Sequence, residues 1–161
     1  MSNPPKHSQV HATFAIERTY PVTVERVWHA LSDNGARDQW WGGGSDFITH
    51  EESHDFRVGG IATQAGQWKD GPDTNYSSIY TNIVPLQRIV FTYDIWVSGG
   101  HLSTSLVTIA LEPQGDATRL TYTEQAVHFD GLDTVEGREE GTAGLLDLLG
   151  SFLSEVPGGE V

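Results

Sequence analysis

From Asp133 to Val156 the chain reads DTVEGREEGTAGLLDLLGSFLSEV, and no other stretch carries the signature of a long helix. Leu145, Leu148, Leu149, Phe152 and Val156 recur at three- and four-residue spacing, which sets them on one helical face with Asp147, Ser151 and Glu155 opposite. Asp133 and Glu136 have the spacing of a capping box, and Pro157, Gly158 and Gly159 supply a stop. At about 1.5 Å per residue the helix spans roughly 30 Å or more, the width of a small domain. An apolar face of that length needs a surface to lie on, and nearly everything before it reads as strand.

Residues 1–10 hold two prolines and no periodicity, and read as a loose terminus. In HATFAIERTY, residues 11–20, Ala12, Phe14 and Ile16 alternate with Thr13, Ala15 and Glu17, the pattern of a half-buried strand ended by Pro21. Thr23 caps a short helix with Val24, Val27, Trp28 and Leu31 on one face; a second helical turn over Ala36–Trp41 breaks at Gly42, Gly43 and Gly44. Six strands follow, over 46–51, 54–67, 76–84, 87–97, 102–112 and 118–127. Short turns rich in Gly, Pro and Asp separate them, so antiparallel hairpins are expected, and Gly59-Gly60 inside the second of the six suggests a bulge. The sequence thus predicts one α+β domain over 11–157, a curved antiparallel sheet of six or seven strands around the C-terminal helix. One helix cannot fill the hollow of such a sheet, least of all beside Gly141, Ala143 and Gly144. A cavity is the expectation.

Composition narrows the function. Nine Lys and Arg against 22 Asp and Glu leave a formal charge of −13, which opposes binding to nucleic acid or to an anionic membrane surface. The absence of cysteine excludes disulfides, thiolate metal sites and a Cys nucleophile. No apolar run reaches the roughly 18 residues of a membrane span and the polar start lacks a signal peptide's apolar core, so a soluble cytoplasmic protein is expected.

Six segments, taken together, resemble a known superfamily: IERTYPVTVERVWHALSD, QWWGGG, DFRVGG, RIVFTYD, VTIALEPQGDATRLTYTE and EEGTAGLLDLL. Their order and spacing from about Phe14 to Leu153 are similar to those of SRPBCC proteins, also called START-like or birch-pollen-allergen-like. The most similar branch is the one named for homology to the activator of heat shock protein ATPase. The resemblance implies a helix-grip fold with a deep apolar pocket between sheet and helix, in which members bind lipids, hormones or polyketides and some catalyse cyclisation, dehydration or hydrolysis. That branch often has Trp after the helix glycine, where this chain has Gly141-Thr142, and Pro after the paired Trp, where it has Gly42; both departures imply a roomier pocket.

Binding of a small hydrophobic molecule is the leading expectation. A cyclase, dehydratase or hydrolase using the same cavity is the enzyme alternative, and a co-chaperone interaction domain the third reading. The expected ligand wall comprises Trp40 and Trp41, the strand aromatics Tyr80, Tyr93, Trp96 and Tyr122, and Gly144, Leu145, Leu148, Leu149 and Phe152 of the helix. Alternation cannot say which strand residues face inward without the register. If any residues do chemistry, Tyr122 and Glu124 share a face and could act as acid and base, although a surface position is the simpler reading of Glu124. Asp130, Asp133, Glu136, Glu139 and Glu140 read as a solvated helix start. His50-Glu51-Glu52-Ser53-His54 matches HExxH, but its flanks carry no helical period, and on an extended strand its histidines lie about 13 Å apart. Two solvated histidines are the reading, with incidental metal binding only if Glu51–Ser53 turns as a hairpin. No cofactor motif or metal set stands out. An exposed edge strand could pair two copies.

Overall fold

The computed structural model describes residues 6–42 and 44–155. Seven strands form one antiparallel sheet in the order β1-β7-β6-β5-β4-β3-β2, with β1 Gln9–Tyr20, β2 Phe47–His54, β3 Ile61–Trp68, β4 Asp73–Val84, β5 Arg88–Val97, β6 Gly100–Gln114 and β7 Ala117–Phe129. From β2 to β7 each strand pairs with the next, and β1 closes the order by pairing with β7 from Gln9↔Phe129 to Tyr20↔Thr118. Between β1 and β2 lie α1 Val24–Ser32 and α2 Asn34–Arg37. The last element is α3, Val135–Glu155. This is the expected helix-grip arrangement. Among the described residues no helix is long and apolar enough to cross a membrane.

The register decides which of the two alternating sets on each strand faces inward. Phe14, Ile16, Tyr80, Ile89, Phe91, Tyr93, Val107, Ile109, Leu111, Leu120 and Tyr122 are buried in one core with Val27, Ala30, Leu31 and Trp40. Thr23 caps α1 by accepting from the Arg26 N–H, and Asp33 caps α2 by accepting from the Ala36 N–H at 3.0 Å. Trp40 is pinned by its indole N–H donating to the Ala30 carbonyl at 2.8 Å.

Several expected boundaries change. β1 starts at Gln9, two residues before the expected start at His11, and Ser8 is tied by its N–H to Asp130 at 2.9 Å. The expected strand over 54–67 divides into the last residue of β2, a turn over 55–60 and most of β3. Gly59 and Gly60 belong to that turn and form no bulge: Gly59 has φ +82°, and a Cβ on Gly60 would lie 2.0 Å from the Asp55 carbonyl oxygen. The bulge in this part of the sheet falls instead between Thr49 and Glu51. The second short helix ends at Arg37, four residues before its expected end at Trp41.

The long helix differs at its start and in its buried face. Its cap is Thr134, whose hydroxyl accepts from the Gly137 N–H at 3.0 Å, and Asp133 is drawn off to Arg138 and His128. Val156 and the stop Pro157-Gly158-Gly159 lie outside the described residues. The fully buried stripe is Thr142, Leu146, Leu149 and Leu153, one residue out of phase with the expected Leu145, Leu148 and Phe152, which are half-buried. Paired leucines at 145/146 and 148/149 support two overlapping stripes, and packing selects between them. Gly150 permits the choice: a Cβ there would already lie 3.2 Å from the Tyr20 ring, and Tyr20 donates its hydroxyl to the Leu146 carbonyl at 2.8 Å.

Candidate functional site

Where α3 begins, the helix and the sheet diverge and leave a cavity of about 600 Å³, within the range typical of small-molecule sites. Trp41, Phe47, Trp68, Tyr76, Phe91 and Ile95 supply one wall, and Gly141, Gly144, Leu145 and Leu148 of α3 the other. The helix side is open because nothing lies within 4 Å of a Cβ placed on Gly141 or Gly144. Gly42, at the mouth, has φ +107°. Proline, locked near −65°, cannot adopt it, so the Pro that the resemblance implies after the paired Trp would not fit this backbone.

The polar end of the cavity is built on β5, β6, β7 and the first turn of α3. Glu124 is 0 % exposed. Its Oε2 accepts from the hydroxyls of Tyr93 at 2.7 Å and Ser105 at 2.8 Å and from Arg138 Nη1 at 3.1 Å, while Oε1 accepts from the Tyr122 hydroxyl at 3.1 Å. Arg138 also donates to the Tyr93 hydroxyl at 2.8 Å, to Ser103 at 2.8 Å and to Asp133 at 2.7 Å. Asp133 in turn bonds His128 Nδ1 at 2.7 Å, and among the described residues the network ends there, with His128 Nε2 buried and without a partner. A buried carboxylate is tolerable only when paired and hydrogen-bonded, and Glu124 is both. Burial first, then Glu124, pushes the Tyr93 phenol well above its ordinary range; burial first, then Tyr93, does the same to Tyr122. Both hydroxyls therefore remain protonated donors at neutral pH.

A smaller space of about 40 Å³ adjoins this cavity, sharing Trp41, Tyr76, Phe91, Tyr122 and Leu145 with it and reaching Arg37, Trp40 and Tyr80. Of the expected ligand residues, Trp41, Tyr93, Tyr122, Gly144, Leu145 and Leu148 are thus gathered on the larger cavity, and Trp40 and Tyr80 border the smaller one. Leu149 is a core residue at 0 % exposure, and Phe152 packs against that core, so neither is on a cavity wall. Trp96 is turned away, stacked on His101 with ring centroids 4.8 Å apart, because it has the opposite parity to Tyr93 and Ile95. Glu124 is no surface carboxylate, and its oxygens are occupied by protein donors. Asp133 is likewise no solvated helix-start charge, being held by Arg138 and His128.

Sequence reasoning missed Arg138, Asp133, Ser105, Arg37, Tyr76 and Trp68. Arg138 had one visible signal, a lone basic residue amid Glu136, Glu139 and Glu140. Tyr76 had another, the same strand parity as Tyr80. The HExxH letters lie along extended β2 and form no hairpin: His50 meets Gln67, while His54 meets Asn34 and the Tyr80 hydroxyl.

The fold recurs among solved structures. A Rhizobium loti protein shares 46 % identity, with a TM-score of 0.83 over 90 % of this chain and 99 % of its own. A Rhizobium leguminosarum protein shares 33 %, with a TM-score of 0.89 over 94 % of this chain and 99 % of its own. An AHSA1-like protein of Aeromonas hydrophila, at 22 % identity and a TM-score of 0.67 over 89 % of this chain and 92 % of its own, shares the fold. No protein of curated function matches the sequence. The family model described as activator of Hsp90 ATPase homolog 1-like protein matches residues 21–154, and with relatives at this level of identity the chain belongs to that family.

Proposed function

We propose that this protein binds a small, largely apolar molecule in the cavity between β2–β5, β7 and α3. The observation that carries this reading is the site's composition: a space of about 600 Å³ with mostly aromatic and aliphatic walls and a few polar side chains, among them Tyr93, Tyr122, Arg138, Gln64 and Thr74. Apolar walls supply affinity by burying surface, and a few fixed donors supply orientation. The phenols donate to Glu124 in the arrangement described, so their first role is to hold a rigid polar floor. Turnover is not needed to explain any of these contacts.

Native mass spectrometry of the purified protein, before and after denaturation, tests the reading. A small molecule retained on the native chain and released on unfolding is the expected result. A ligand-free native mass, together with no binding of apolar probes, refutes it. Co-purification with a chaperone that persists when Gly144→Leu fills the cavity would move the function to an outer surface instead.

A further inference from the structure

The two cavity arginines differ in how far their charge is already used. Arg138 makes four side-chain hydrogen bonds and touches two carboxylates, Glu124 and Asp133. Its charge is spent within the protein. Arg37 is as deeply placed, at 5 % exposure, and lines the smaller space with Tyr76 and Tyr80. Among the described residues its guanidinium donates no hydrogen bond. It lies over the Trp41 ring at 4.2 Å, and its one ion-pair partner, Glu52, stands at 3.8 Å, beyond hydrogen-bond reach. Burial first, then Asp38 beside it, raises the Glu52 carboxyl above its ordinary range. A buried guanidinium with unpaired donors is costly unless an acceptor comes to it, and Arg37 is one of the residues lining this space. At about 40 Å³ the space takes roughly three water-sized atoms, which suits a carboxylate and little more.

We infer that Arg37 is the head-group receptor of the cavity and that the ligand is an apolar, aromatic-compatible carboxylic acid, its carboxylate against Arg37 and its body in the larger space. This rests on the cavity-binding reading above and adds the ligand's charge and orientation. Trp41 serves both parts: it stacks on Arg37 and walls both spaces, so the guanidinium plane is held in place before a ligand arrives. The overall charge of −13 slows the approach of any anion, so the selectivity must come from this local pairing.

Titration calorimetry with naphthoate and with naphthylmethanol on the full chain tests it, since the two probes share a ring body and differ in charge. A charge-assisted carboxylate–guanidinium contact predicts at least about tenfold tighter binding of the acid. Arg37→Gln should bring the acid to within about threefold of the alcohol and leave the alcohol unchanged, while Arg37→Lys keeps part of the preference. Equal binding of the two probes by the unmodified protein overturns the Arg37 assignment and leaves cavity binding standing. Binding of neither probe overturns both. An acid preference that survives Arg37→Gln in a folded variant overturns the assignment by placing the carboxylate elsewhere. Because the comparison of probes on the unmodified chain needs no variant, a misfolded Arg37→Gln protein does not rescue the idea.

Discussion

Replacing Arg138 with Met should destabilise this protein far more than the loss of a surface charge, and replacing Glu124 as well should recover part of that loss. Arg138 is 11 % exposed in its side chain and Glu124 0 %, so solvent screens neither. Met keeps the aliphatic volume but leaves Glu124 buried without its counter-charge and Asp133 without its second partner. Removing one member of a buried pair costs about 3–5 kcal/mol. In a domain of this size each kcal/mol moves the midpoint by about 2–4 °C, so Arg138→Met should lower Tm by on the order of 10 °C. Glu124→Gln alone removes the charge and keeps an acceptor for the tyrosines, at a cost of about 1–2 kcal/mol. In the double variant no carboxylate remains stranded at position 124, and its cost should fall short of the sum of the singles by at least about 1.5 kcal/mol. Urea unfolding of all four proteins, followed by far-UV circular dichroism, measures the cycle. A cost below about 1 kcal/mol for Arg138→Met, or strict additivity in the double variant, would refute the claim that this network is a coupled, buried unit.

Gly144→Leu should leave stability unchanged or raise it by up to about 1 kcal/mol, because a Cβ there meets open space and leucine favours helix over glycine; the same variant should lose the ligand seen in native mass spectra. Leu149→Ala, one turn further along the helix, should cost about 2–5 kcal/mol in denaturant unfolding, since Leu149 is fully buried in the core. For pH, burial first and then the Arg37 guanidinium hold the His54 imidazole down at about 4, against 6.5 for a free histidine. The unfolded chain therefore binds more protons between those values, so the contribution is complete above pH 6.5 and is lost as pH falls through 4. The ring is half-exposed, so after screening this amounts to on the order of 1–2 kcal/mol, and His54→Gln should flatten that part of the stability–pH curve. A curve as steep in the variant as in the parent would count against the Asn34–His54–Tyr80 contacts.

The layout of this protein was legible in its sequence because the periods were unambiguous. Phe14 and Ile16 in β1, Val107, Ile109 and Leu111 in β6, and Leu120 and Tyr122 in β7 repeat every two residues, and the C-terminal leucines repeat at helical spacing. Those patterns depend on local geometry alone. The opening left by Gly141 and Gly144 was legible too, since missing side chains leave space wherever the helix lies.

What periodicity could not decide was which of two equivalent choices the packing would take. Leucine pairs allowed α3 two buried stripes, and contact with Tyr20 at Gly150 chose Leu146, Leu149 and Leu153. Tyr93 and Trp96 have opposite strand parity, and only the register put Tyr93 inward and Trp96 outward. The polar groups depended most on the tertiary fold. Glu124 reads as an ordinary strand carboxylate until β5, β6 and the first turn of α3 bring Tyr93, Ser105 and Arg138 to it from 31, 19 and 14 residues away. The sequence by itself determined the sheet, the long helix and the hollow between them, because each follows from a repeat only a few residues long. Only the tertiary structure decided which charges are buried together and that Arg37 lies over Trp41 beside the smaller space, because that follows from contacts between segments far apart in the chain.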